Sequence, residues 1–166
     1  MKALKALILF LFIAVSTQVK ATDNTVISPI IKAYLGIKDA LVTDNSKAAN
    51  EQAKAFTAAI KAVDVNKLDA TQKIAWTKYA EKLRFNGDHI SESTELAHQR
   101  EHFQKLSDDM YALVKNMKST DVTLYRQYCP MKKAYWLSSS DKIANPYYGK
   151  AMDECGEVKE TIKASK

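Results

Sequence analysis

Two thiols and two thioethers stand in mirrored order near the end of the chain, as Cys129-Pro130-Met131 and, twenty residues further on, Met152-Asp153-Glu154-Cys155. Thiolate and thioether are soft, polarisable donors; among biological metals they favour Cu(I), and Ag(I) follows by the same softness. Calcium, magnesium and manganese take oxygen instead. The competing reading is structural: two cysteines in an exported chain form a disulfide, Cys129 to Cys155, and closing a loop of that length contributes about 3 kcal/mol without any chemistry. Both readings stay open at this point.

A second group of donors lies upstream. His98-Gln99-Arg100-Glu101-His102 has the form of the inverted zinc-peptidase motif, two histidines one helical turn apart with a glutamate between them. Such an enzyme needs a further protein ligand and a cleft, and three histidines in the whole chain leave little room for a multi-histidine centre. At about 100° per residue, His102 falls roughly 60° from the middle of its helix's apolar seam and His98 roughly 100°. His102 therefore sits at the core edge, where it can supply a nitrogen beside the sulfurs, and His98 turns more to solvent. His89 follows Asn86-Gly87-Asp88 and reads as a solvated surface residue. No Gly-x-Ser-x-Gly elbow and no phosphate-binding loop occurs, so no catalysed reaction is expected.

These residues need elements to hold them. Apolar residues recur at helical spacing from about Val26 to Met117, in four stretches with short polar breaks. The first carries Ile27, Ile30, Ile31, Tyr34, Ile37 and Leu41, opens at Ser28-Pro29 and stops near Thr43-Asp44-Asn45. A second places Ala49, Ala53, Phe56, Ile60 and Val63 together, capped by Asp44 or Asn45. The third starts at the cap Asp69, buries Gln72, Trp76, Tyr79 and Leu83, and ends at Asn86-Gly87-Asp88. The longest begins after Ser91 or Ser93; its Leu96, Phe103, Met110 and Met117 repeat every seven residues, with Gln99, Leu106 and Leu113 between them. The fold expected is all-α, an up-down four-helix bundle. From about residue 119 to 166 the helical period is lost: Val122 to Tyr128 reads as a short strand, and Glu157 to Lys163 as its antiparallel partner or a final helix. Antiparallel pairing would bring Cys129 and Cys155 together.

Composition bounds the whole. The 166 residues are 46% hydrophobic and 27% charged, with four Gly and three Pro, which suits one helical domain and not a turn-rich sandwich. Lys2 and Lys5 precede an apolar run from Ala6 to Val15, and Val19-Lys20-Ala21 forms a small-residue cleavage site, so residues 1–21 read as an export signal and 22–166 as the domain. Ten apolar residues are too few to span a bilayer, so no membrane insertion is expected after cleavage, and the product is periplasmic or secreted. Removing that segment lowers the formal charge from +6 to +3, without a basic cluster, which argues against nucleic acid as a partner.

The tail QYCPMKKAYWLSSSDKIANPYYGKAMDECGEV, Gln127 to Val158, and the stretch HQREHFQKLSDDMYALVK, His98 to Lys115, resemble a bacterial family catalogued as domain of unknown function 3347. The resemblance implies a small exported protein of the kind also found as the terminal module of periplasmic adaptor subunits in copper and silver efflux pumps. It implies copper, Cu(I) or silver, as cargo, and efflux pump or adaptor components as partners. It also implies a site made of His102, Cys129, Met131, Met152 and Cys155, with the turn Asn145 to Gly149 bracing the sulfur pairs. The alternative that remains is a disulfide-stapled helical interaction module for an envelope or efflux complex that binds no metal.

Overall fold

The structure is a computed structural model that describes residues 26–118 and 120–165; the expected export signal lies outside the described residues. Four helices come first: α1 (Ser28–Val42), α2 (Ser46–Lys61), α3 (Ala70–Glu92) and α4 (Leu96–Met117). Three strands follow, β1 (Leu124–Cys129), β2 (Ala134–Ser138) and β3 (Glu157–Ile162), in one antiparallel sheet of order β2-β1-β3. The chain is thus mostly helical with a C-terminal β segment, not all-α. No described helix is long and apolar enough to cross a membrane.

The helix ends follow local chemistry. Asn45 caps α2, its side chain accepting from the Ala48 amide at 3.0 Å. Asp69 opens α3 with a capping box, accepting from the Gln72 amide at 2.8 Å while the Gln72 side chain accepts from the Asp69 amide at 3.1 Å. Consecutive helices pack on one another, and α4 also carries β2. The apolar faces expected of α1, α2 and α4 are the buried ones, with Leu96 and Val63 at the margin. Gln99, fully buried, donates its amide to the carbonyls of Ser46 at 2.9 Å and Ser93 at 2.7 Å, which joins the start of α2 to the end of α3.

The expected end of α3 is corrected too. Asn86-Gly87-Asp88 does not end α3; the helix runs on to Glu92. A Cβ at Gly87 would stand 2.7 Å from Thr57 Cγ2 and 2.9 Å from Phe56 Cδ1, so the bare Cα is what lets α3 close on α2. Asn86 does not turn the chain either, because its amide donates back to the Lys82 carbonyl at 2.9 Å. Burial against α2 outweighs a helix penalty of about 1 kcal/mol for glycine.

The sheet is fastened to the bundle by polar side chains. The Arg126 guanidinium lies between the rings of Tyr111 and Tyr135, 3.8 and 3.9 Å from their centroids. On β3, Glu160 accepts from Tyr111 Oη at 2.8 Å and pairs with Lys115 at 2.7 Å, both from α4. Tyr34 of α1 is fully buried, stacks on Phe103 of α4 at 5.3 Å, shares a 2.9 Å hydrogen bond with Ser107, and accepts the Leu137 amide of β2 at 2.9 Å. Burial pushes its phenol far above the ordinary range, so it stays protonated. Tyr34→Phe leaves the Leu137 amide buried without an acceptor and is expected to cost about 1–3 kcal/mol in denaturant unfolding. A variant as stable as the parent would show that this amide finds another acceptor.

Candidate functional site

The two cysteines meet as strand pairing requires. β3 runs antiparallel to β1 with Tyr128 opposite Glu157, so Cys129 at the end of β1 and Cys155 just before β3 are brought side by side, their sulfurs 3.4 Å apart and unbonded. Cys129 is fully buried and Cys155 partly so. The step after Cys155 has to be glycine: a Cβ on Gly156 would lie 2.9 Å from Trp136 Cη2 and 3.1 Å from the Tyr128 carbonyl.

The surroundings divide the protons unequally. Burial raises the Cys129 thiol, but the Lys132 amide, the Cys155 thiol, the Asn145 side chain and the Met131 amide all favour its thiolate, and the balance leaves it below the ordinary value. Cys155 moves upward, first because its hydrogen is shared with the Cys129 sulfur and then through burial. A thiolate beside a thiol is a ready soft-donor pair. Met131, on the four-residue β1–β2 turn, and Met152, on the turn before Cys155, are exposed at 66% and 40%.

The brace is visible in detail. Asn145, fully buried, donates to the Cys155 carbonyl at 2.7 Å, accepts the Tyr147 amide at 2.8 Å, and gives its own amide to the Asp153 carbonyl at 2.8 Å. Arg100 of α4 holds the turn from below: its Nε donates to the Pro146 carbonyl at 2.8 Å, and its Nη2 to the Leu41 carbonyl at 3.0 Å and to Asp44. Asp44 also accepts the Lys150 amide at 3.2 Å. Gly149, at φ +55°, sits where any Cβ would collide with the Asp44 carboxylate and Arg100.

His102 stands apart from the two cysteines in this structure. Among the described residues, His102 and the two cysteines do not form a set with donor atoms within 4.8 Å of one another; His102 instead forms such a set with His89 and His98. Its ring stacks on His89 at 4.3 Å and lies 4.6 Å from His98. The helical arithmetic put His102 at the core edge, and it is 7% exposed, but the edge it occupies faces α3. His89 reaches it because α3 continues past Gly87 to Glu92. The pair His98 and His102, four residues apart on α4, was legible in the sequence; what it did not show is that His89 completes the cluster from α3. Glu101, between them, is exposed and pairs with Lys105 at 3.4 Å, so the peptidase motif lacks its acid at the histidines.

The chain belongs to the family described as protein of unknown function (DUF3347), whose model matches residues 30–121, more than half of the chain. The match spans α1 to α4 and includes Arg100 and all three histidines; it stops before β1, so the cysteine-bearing tail lies beyond it. No curated protein and no solved structure matches the chain.

Two measurements follow from this geometry. The reduced protein should titrate its thiols in two steps that straddle the ordinary thiol value, read by ultraviolet thiolate absorbance; one step for both would mean that the sulfurs do not share a proton. Asp44 is held below the usual carboxylate range, chiefly by its hydrogen bond from Arg100. Its folded pKa being the lower one, this stabilisation is complete above the unfolded value of about 4 and is lost as pH falls through the folded value. Unfolding free energy of Arg100→Ala should accordingly depend less on pH across that window than the parent's, and equal slopes would remove the pair from the docking of the tail.

Proposed function

We propose that this is an exported copper-binding protein, a Cu(I) or Ag(I) buffer, carrier or tolerance factor that works beside heavy-metal efflux components in the periplasm or outside the cell. The observation that carries the reading is the Cys129–Cys155 pair: two sulfurs at 3.4 Å, one favoured as thiolate, in a loop whose backbone is held by Asn145. Soft cations prefer such donors, and the two methionines on the adjoining exposed turns add thioethers of the same character. Export rests on the basic start, apolar run and small-residue site of residues 1–21. The protein carries metal and catalyses no reaction in this reading. Its cargo is taken up and given off through the Cys155 side of the pair, the less buried one.

The same proximity favours one second reading, in which oxidation joins the sulfurs and the bundle serves as an interaction module of an envelope complex. The two readings part in one experiment. Reduced protein of residues 22–166 is titrated with Cu(I) against a chromophoric chelator, beside the Cys129→Ser/Cys155→Ser variant. One tight equivalent in the parent that is lost in the variant is the expected result. Equal binding by both, or none by either, ends the copper reading, and a disulfide that survives copper addition favours the second.

A further inference from the structure

Three imidazoles converge at the α3–α4 interface, and among the described residues no cysteine or carboxylate joins them as a close donor. The Nδ1 and Nε2 atoms of His89, His98 and His102 include one donor from each residue within 4.8 Å of the others. Among the described residues, no hydrogen bond or ion pair engages the ring nitrogens of His89 or His98, or Nε2 of His102.

The protonation of His102 follows from its neighbours. The Asn86 Nδ2 donates to the Lys82 carbonyl at 2.9 Å, so Asn86 Oδ1 is the atom that faces His102, at 3.0 Å from Nδ1. An amide oxygen only accepts, so Nδ1 of His102 carries the hydrogen and Nε2 presents its lone pair. A hydrogen bond of this kind, on the nitrogen away from the metal, is what orients and sharpens a histidine ligand.

We propose that His89, His98 and His102 form a second metal site, made of nitrogen alone, for a borderline divalent first-row cation, Zn²⁺ or Cu²⁺. Imidazole suits these ions, and three protein ligands leave one coordination position for water or a further ligand. Bonds of about 2.0 Å in a tetrahedron set nitrogens roughly 3.3 Å apart. The donors lie within 4.8 Å of one another, so rotation of the partly buried His89 and His98 is enough to bring them to a bound ion while Asn86 keeps His102 in place. The site clamps α3 to α4 across their short connection. It is independent of the sulfur pair and of the copper reading.

The test silences the sulfurs first. The Cys129→Ser/Cys155→Ser chain is titrated with Zn²⁺ and, separately, Cu²⁺ against a chromophoric chelator, and compared with the same chain carrying His89→Ala, His98→Ala or Asn86→Ala. One equivalent per chain is expected, weakened at least about tenfold by either histidine change and about 10- to 100-fold by loss of the Asn86 support. Electron paramagnetic resonance of the Cu²⁺ form should show imidazole nitrogen coupling that diminishes in His98→Ala. His98 is only partly buried, so that variant stays informative even if the buried Asn86 change unfolds the chain. No saturable binding by the parent, or binding unchanged in both histidine variants, overturns the proposal.

Discussion

The Arg100 guanidinium is the point at which a row of helices and a sulfur-bearing tail become one object. Its side chain is 17% exposed, and from α4 it reaches the Pro146 carbonyl in the tail, the Leu41 carbonyl at the end of α1, and Asp44 in the turn that follows. The guanidinium carries its donors on separate nitrogens of one rigid plane, so Nε serves the tail while Nη2 serves the end of α1 and the turn after it. Through Pro146 it sets the position of the Asn145 turn, and through that turn the carbonyl of Cys155. The backbone at Cys155 is thus braced from a helix that holds neither cysteine.

Arg100 also divides α4. It lies two residues from His98 and two from His102, so at about 100° per residue it points away from both. One face of this turn meets α3 and carries the imidazoles; the other meets the tail and carries the brace. The five-residue segment His98 to His102 therefore serves two unlike donor clusters without placing them together. A sulfur site with a histidine added would have required the tail to cross to the α3 side, where Phe85 and Asn86 already pack against His102.

Much of this was legible in the residues. Helix faces, the caps Asn45 and Asp69, the heptad seam of α4 and the meeting of Cys129 with Cys155 all follow from local pattern and from antiparallel geometry. The failures have a common cause, the dominance of tertiary contact over local preference. Asn86-Gly87-Asp88 has turn chemistry in isolation, but Phe56 and Thr57 need a residue without a side chain opposite them, and that packing keeps the helix intact. With α3 cut short, His89 could only be placed on a surface turn. Strand β2 escaped notice because most of its residues are buried, which removes the alternation that marks a half-exposed strand, and because its turn uses Lys133 at φ 54° where glycine would have signalled it.

A three-stranded sheet has two open margins, each an invitation for another chain to add a strand. In this molecule they are closed by different means. On the β2 margin the Leu137 amide is already taken by Tyr34, so the bundle itself occupies a position that an incoming backbone would need. On the β3 margin Glu157 and Lys159 stand exposed and paired with each other, and charges of both signs must be stripped of water before a further strand can dock. The phenol that joins α1 to the sheet thereby also guards the chain against aggregation through that edge.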